Sequence, residues 1–263
     1  MTTGDQRFSQ LQQGCENLKA DSVIDEFELL PTVDSTNTYA MQRIPHCVGK
    51  RLLIVAVDQT QGRGRTTNRW HSSAGAITIT AIVPFAEMDS VFSTASLRVG
   101  TGICRQLEAH FQSASITTPQ FQLKWPNDLY VNQCKLGGIL IEAHSSHPQT
   151  LAIGVGMNVN NTLPDSTLTQ NPAISLSQLD SHEWPLDLAL ELVIRGLFSD
   201  LNSTAPWHAY YLEHCLLTGK LVTLQLPNRS QQGLCQGVTS EGHLVLSHDQ
   251  EYQTYQSGHI TSY

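Results

Sequence analysis

Hydrophobic positions recur along this chain in two periods. RLLIVAVDQ, Arg51 to Gln59, is apolar almost without a break, as a core strand is, and GAITITAIVP, Gly75 to Pro84, alternates isoleucine with threonine or alanine, as a half-buried strand does. FQLKW, KLGGILIEA and TLAIGVGMNVN supply three further strand candidates. Helical spacing replaces alternation between Val91 and Phe111, where Ala95, Val99, Ile103 and Leu107 fall every fourth residue, and in Trp184 to Leu201, where Leu186, Leu190, Ile194, Leu197 and Leu201 share one side. A second helix is predicted in APWHAYYLEHCLL. FELLPTVDSTNTYAMQRI predicts a strand, a break at Asp34 or Ser35, and a helix carrying Tyr39 and Met41, since Ser, Thr and Asp offer acceptors to the unpaired amides of a helix start.

From Lys220 the period shortens. LVTLQLP, LCQGVTSEGHLVLS and EYQTYQ predict four short strands, with Glu241 and Gly242 at a hairpin turn, and about 45 such residues predict a small closed barrel. The ordering is neither a repeated βα array nor a solenoid, so the expected class is α+β, a mixed sheet packed with helices plus the small barrel. The expected division is a polar lead-in at 1–28, a larger domain at 29–218 and a small one at 219–263.

At 263 residues the chain is long enough for one large core and a small second one. A formal charge of -8, from 23 acidic and 15 basic residues, works against general nucleic-acid affinity but leaves room for one local anion site. The first residues, MTTGDQRFSQLQQGCENLKA, lack a basic start followed by an apolar run, and no stretch approaches the length of a membrane span. Six scattered cysteines without CxxC and histidines without HExxH predict free thiols in a reducing cytoplasm, with His144 and His147 in a surface loop.

The basic residues are concentrated. DQTQGRGRTTNRW, Asp58 to Trp70, places Arg63, Arg65 and Arg69 among Gly62 and Gly64. Guanidinium forks suit carboxylate or phosphate, and the glycines let backbone amides approach the same anion; a solvated loop or a nucleic-acid contact is the alternative. Trp70 is either core packing or a stacking platform. In KWPNDLYVNQCKLGGILIE, Lys124 and Lys135 flank a turn where Asn127 and Asp128 offer a carbonyl, an amide and a carboxylate, a set suited to a polar substrate, an amine or hydrated Mg²⁺, or else to an ordinary Asx turn. DSTN, Asp34 to Asn37, is explained by helix capping or by hydrogen bonds to a ligand. Gly154 and Gly156 in GVGMNVN forgo side-chain packing in an apolar strand, which close passage of a ligand or a bulge would explain.

Taken together, DSTN, TQGRGR with Trp70, KWPNDL, KLGGILIE and GVGMNVN resemble the biotin protein ligases in order and spacing, strongly over about Leu29 to Asn160 and weakly over the C-terminal strands. The resemblance implies a catalytic domain like that of class II aminoacyl-tRNA synthetases and a small SH3-like barrel. It implies ATP, Mg²⁺ and biotin, formation of biotinyl-5'-adenylate with release of pyrophosphate, and transfer to a lysine of the biotin carboxyl carrier protein of acetyl-CoA carboxylase. It further implies that Ser35, Thr36 and Gln59, with Asn37 beside them, meet the ureido ring, and that Gly62 and Arg63 lie in the biotin and adenylate loop. Arg65 retains the adenylate; Lys135 reaches the carbonyl and phosphate; Gly138, Gly154 and Gly156 lie beside biotin. Trp70, Asn127 and Asn158 fall near the adenylate, and Asp128 is the candidate for the metal or the carrier lysine.

Two departures from the family pattern stand out. Thr67 and Asn68 replace a typical glycine and arginine, with Arg69 one residue later, and the closing SGHITSY puts Tyr263 where relatives carry an arginine that contributes to ATP binding. Longer relatives carry a DNA-binding winged helix; the short stretch before Leu29 and the negative charge predict no specific DNA binding. Monomer and homodimer are both compatible with the sequence. The rival readings are a lipoate ligase or octanoyltransferase, and a non-catalytic biotin- or adenylate-binding module.

Overall fold

Helix α1, Thr3–Ala20, occupies the stretch expected to be a polar lead-in. Among its glutamines Leu11, Cys15 and Leu18 are fully buried, with Phe8 packed beside them, a narrow stripe spaced for one helix face. The structure, a computed structural model, describes residues 3–66, 68–85, 92–163, 172–201, 206–249 and 251–263, so Thr67 and the expected helix starts at Val91 and Ala205 lie outside the described residues. No described helix is long and apolar enough to cross a membrane.

The larger sheet is built from β1 (Glu26–Val33), β2 (Leu52–Gln59), β3 (Ile77–Pro84), β4 (Phe121–Lys124), β5 (Asp128–Val131), β6 (Cys134–His144) and β7 (His147–Met157), in the order β1-β2-β3-β7-β6-β5-β4. Only β1 and β2 run parallel; every other pair is antiparallel. Between strands come α2 (Thr36–Arg43), capped by Ser35, and α3 (Ala95–Ser113), and after them α4 (Leu176–Asp180), α5 (Leu186–Leu201) and α6 (Trp207–His214). The predicted stripes are the buried ones: Ala95, Val99, Ile103 and Leu107 of α3 meet Leu190, Ile194 and Leu197 of α5 in one core. On β2 Leu53, Val55 and Val57 enter this core, whereas Leu52 and Ile54 join a smaller cluster under α2 with Ala40 and Ile44. Coverage on both faces is why β2 is an unbroken apolar run.

Helix α1 docks on α5 and β2. Asn17 donates to Glu191 (2.7 Å), Gln10 accepts from the Leu186 amide (3.3 Å), and Arg7 pairs with Asp58 at the end of β2 (3.2 Å). Helices α3 and α5 touch backbone to backbone at Gly102 and Gly196, where a methyl on Gly102 would stand 2.0 Å from the Gly196 carbonyl oxygen. Gly102→Ala is therefore expected to force the helices apart at a cost of about 2 kcal/mol, seen as a fall in thermal midpoint of roughly 5 °C. An unchanged midpoint would mean that the pair separates freely.

The C-terminal strands depart from expectation. Five form, not four: β8 (Leu221–Gln225), β9 (Ser230–Val238), β10 (Leu244–His248), β11 (Glu251–Tyr255) and β12 (His259–Ser262), in the order β11-β10-β9-β8-β12. The end strands β11 and β12 do not pair, so this is an open antiparallel sheet and the expected SH3-like barrel does not form. Its apolar face, including Val222, Leu224, Leu244, Leu246 and Ile260, is continuous with the main core. The Trp125 indole donates to the Gly242 carbonyl (3.1 Å) and His208 of α6 meets the Val238 carbonyl (2.7 Å). Because the larger sheet and its helices cover that face, burial does not require the C-terminal sheet to close on itself.

Candidate functional site

Strand alternation assembles the floor of a cavity of about 900 Å³. On β7 Leu151, Ile153, Val155 and Met157 enter the core, which turns Gly154 and Gly156 to the opposite face; on β3 the same rule turns Thr78 and Thr80 that way. Strand β6 would place Lys135 and Gly138 on opposite faces, but its pairing with β5 skips Leu136, from Tyr130 opposite Lys135 to Leu129 opposite Gly137. The bulge brings Lys135 onto the floor with Gly138, where a methyl on Gly138 would lie 3.7 Å from Lys135 Nζ.

At one end of the cavity, Thr36 donates to Gln59 Oε1 from its amide (2.9 Å) and its hydroxyl (3.2 Å), while Ser35 Oγ accepts from the Thr38 amide (3.4 Å) as the cap of α2. This leaves the Ser35 hydroxyl hydrogen and the Gln59 amide as donors without a partner among the described residues. Gly62 does not line the cavity. A methyl there would stand 2.7 Å from Gln59 Nε2 and 2.3 Å from the Trp70 carbonyl oxygen, so Gly62 makes room for the Gln59 amide and the base of the hairpin.

At Gly154 and Gly156, which line the cavity, protein side chains make a close approach to the strand. A methyl on Gly154 would lie 1.9 Å from Asn37 Oδ1, and one on Gly156 2.5 Å from the Trp70 indole. Protein side chains laid across the strand require the glycines, and the β7 ladder is regular there. Asn37 is held in place by Thr80 (2.7 Å), the Leu140 carbonyl (3.2 Å) and Glu142 (3.0 Å). The Trp70 indole N–H is buried with no acceptor among the described residues, which leaves a donor aimed at whatever fills the cavity.

The arginine hairpin closes over this floor. Gly64 donates to the Asn68 carbonyl (2.9 Å) and Trp70 to the Gly62 carbonyl (3.0 Å), with Arg63 and Arg69 paired across it. Arg63 is not a free anion clamp: its two nitrogens grip Glu142 at 2.8 and 3.2 Å, a bidentate pair that ties the hairpin to β6. Glu142 was missed as a site residue, although counting by twos from Gly138 through Leu140 puts it on the cavity face. Arg65 differs. Its guanidinium has no carboxylate partner among the described residues and touches only the Gly258 carbonyl (3.5 Å); burial pulls its pKa below the ordinary arginine value, opposed by Asp128.

Lys135 Nζ pairs with Asp128 Oδ1 at 2.8 Å, and its backbone is fixed by Pro172 and Ile174. Asn127 faces the cavity but spends its amide on the Ile139 carbonyl (2.6 Å), so it braces β5 against β6. Asn158 is buried outside the cavity wall, bonded to Asn161 (3.0 Å) and the Leu136 carbonyl (2.9 Å); it supports the bulge that carries Lys135. The structure thus gathers Ser35, Thr36, Asn37, Gln59, Arg63, Arg65, Trp70, Asn127, Asp128, Lys135, Gly138, Gly154 and Gly156 around one cavity, and leaves Gly62 and Asn158 behind it. It adds Gln225 to Pro227 and Ser257 to Thr261 from the C-terminal sheet, which hydrophobic patterning did not connect with the site.

Among the described residues no cluster of three His, Cys, Asp or Glu side chains forms a metal cage. Asp128 is a single carboxylate beside two lysines. That donor set fits a hard cation such as Mg²⁺ only when the cation arrives with most of its ligands on substrate phosphates and water.

The family model for biotin/lipoate A/B protein ligases matches residues 29–158. The chain is 26% identical over 228 residues to the biotin--[acetyl-CoA-carboxylase] ligase of Paracoccus denitrificans, covering 83% of this chain and 92% of that one. It is 25% identical over 240 residues to the bifunctional ligase/repressor BirA of Escherichia coli strain K12, covering 89% and 73%. The biotin protein ligase of Aquifex aeolicus, solved in complex with biotin and ATP, superposes with a TM-score of 0.75 at 24% identity over 90% of this chain and 97% of that one.

Proposed function

The chain belongs to the biotin/lipoate A/B protein ligase family, and from that premise we propose that it is an ATP-dependent biotin protein ligase. The observation that carries the reading is a half-buried guanidinium, Arg65, without a carboxylate partner among the described residues, in one glycine-floored cavity with the Lys135–Asp128 pair. The Ser35 hydroxyl and Gln59 amide suit the ureido carbonyl of biotin, and a chain laid along Gly138 would bring the biotin carboxylate to Lys135. One carboxylate oxygen attacks the α-phosphorus of ATP, the bond from that phosphorus to the bridging oxygen breaks, and pyrophosphate leaves. Lys135 and Arg65 hold the two anions in line and offset the charge gathering on the phosphoryl oxygens.

Asp128 would hold Mg²⁺ against the phosphates, where the ion supplies further charge neutralisation. In the second step the neutral ε-amine of a carrier lysine attacks the acyl carbon, the bond to the phosphate oxygen breaks, AMP departs and the amine proton passes to solvent. The acceptor in this reading is the biotin carboxyl carrier protein of acetyl-CoA carboxylase, and a cytoplasmic setting, in which thiols stay reduced, is consistent with the free cysteines. In this reading residues 29–218 are the catalytic unit, 219–263 contribute one wall, and the lead-in at 1–28 carries the docked helix Thr3–Ala20.

With Mg²⁺, ATP and biotin, the purified protein is expected to release pyrophosphate and to label an apo carrier domain, whereas lipoate or octanoate in place of biotin gives roughly a hundredfold less product. A chain without the ureido ring leaves the donors at Ser35 and Gln59 unpaired. Preference for lipoate would overturn the reading. Tight binding of biotinyl-adenylate with neither pyrophosphate release nor transfer would favour a non-catalytic module.

A further inference from the structure

Transfer to the carrier needs a proton to leave before any bond can form. A lysine side chain in water has a pKa of about 10.4, so at neutral pH fewer than about one acceptor in a thousand carries the free lone pair that attacks an acyl carbon. A base beside the adenylate would supply it. The cavity offers few. Arg63, Arg65, Arg69 and Lys135 line it as cations, and the Tyr130 hydroxyl, its pKa raised by burial, keeps its proton. Lys124, whose pKa burial lowers, is only 9% exposed and lies against the Tyr130 and Tyr263 rings, out of reach of an entering chain. Asp128 is gripped by Lys135 at 2.8 Å and in the ligase reading also faces Mg²⁺. One group remains, His259.

Of the eleven histidines in the chain only His259 lines the cavity. It opens β12, paired with Gln225 of β8, which lines the cavity too. The residue before it, Gly258, offers its carbonyl to Arg65 at 3.5 Å, so His259 is one residue from the point where that guanidinium meets the wall. The wall is firmly seated. A methyl on Gly258 would lie 2.4 Å from Leu224, and Ile260 on the other side is buried in the core, so the backbone that presents His259 is held before and after it. Its side chain is exposed and has no hydrogen-bond or ion-pair partner among the described residues. A carrier lysine can reach it from solvent.

We propose that His259 is the base of the second step: a neutral imidazole nitrogen takes one proton from the ammonium of the carrier lysine, and the freed amine attacks the acyl carbon of biotinyl-adenylate. The bond to the phosphate oxygen then breaks, AMP leaves, the second proton on nitrogen goes to solvent as the amide forms, and His259 returns its own proton to solvent. The proposal rests on the ligase reading and adds to it the group that readies the acceptor. It gives the C-terminal sheet a chemical part in transfer that adenylate formation does not need. Imidazole suits the task because its ordinary titration lies near neutrality, so it can both take the proton and release it.

The test starts from synthetic biotinyl-adenylate bound to the full-length protein and follows single-turnover transfer at pH 7, either to an apo carrier domain or to hydroxylamine, an amine that is already neutral. His259→Ala is expected to slow transfer to the carrier by roughly a hundredfold. Transfer to hydroxylamine, and pyrophosphate release from ATP and biotin, should stay at the parent's rates. Added imidazole should restore much of the carrier transfer, whereas His259→Gln, which keeps a polar side chain but takes up no proton, should stay slow. Carrier transfer by His259→Ala at the parent's rate would overturn the proposal. So would an equal loss with hydroxylamine, which marks a displaced adenylate, or a loss that saturating carrier abolishes, which marks a docking contact. The ligase reading fails separately: a parent that transfers from synthetic adenylate but releases no pyrophosphate from ATP and biotin would sink that reading and leave the role of His259 standing.

Discussion

Lys135→Ala is expected to lower pyrophosphate release from ATP and biotin by roughly 10²–10³, the loss seen when one preorganised charge donor is taken from a reacting centre. Two effects act together. The ammonium that meets carboxylate and phosphate is gone, and Asp128, which it held at 2.8 Å, is left as a bare carboxylate facing the incoming anions. The bulge that presents residue 135 is held by backbone bonds to Pro172 and by Asn158, so the fold is expected to survive. The measurement is single-turnover adenylate formation, with thermal unfolding as the control and transfer from synthetic biotinyl-adenylate as the second readout. Adenylate formation at the parent's rate in the folded variant would remove Lys135 from the first step.

Arg65→Gly is expected to act on the other side of the intermediate. It removes a charge-assisted phosphate contact worth roughly 1.5 to 3 kcal/mol, so biotinyl-adenylate should dissociate about ten to a hundred times faster. It also removes the contact between the hairpin and the Gly258 carbonyl ahead of β12, leaving the Arg63–Glu142 pair and the packing of Trp70 on Gly156 to hold the hairpin to the larger sheet. The variant should still form adenylate and should label lysines of bystander proteins more readily than the parent, because the activated acid escapes before the carrier arrives. Stopped-flow release of a labelled adenylate and bystander labelling give the answer. Release no faster than in the parent would end the clamp hypothesis while leaving the ligase assignment intact.

The fates of Arg63 and Arg65 show where one-dimensional reading stops. Both stand in GRGR as permanently charged forks, and nothing local tells them apart. Glu142, distant in sequence, neutralises Arg63, while Arg65 finds only a backbone carbonyl from the C-terminal sheet. The glycines of GVGMNVN pose the same problem. Their lack of side chains signals a close approach, but whether Asn37, Trp70 or a ligand makes it depends on which elements cross β7 in space.

By itself the sequence determined the α+β class, most strands, the buried faces of α3 and α5, and the set of motifs that meet around the cavity, because alternation, helical spacing and polar clustering are local properties of neighbouring residues. Only the tertiary structure decided the rest. It turned a glutamine-rich start into a docked helix, since three buried side chains suffice when α5 waits to receive them. It kept the C-terminal sheet open, since the burial that closure would have supplied comes from the core shared with the larger sheet and its helices. It also brought His259 of the C-terminal sheet to a cavity floored by the larger one, since which distant groups meet is fixed by how the sheets pack and not by the order of residues along the chain.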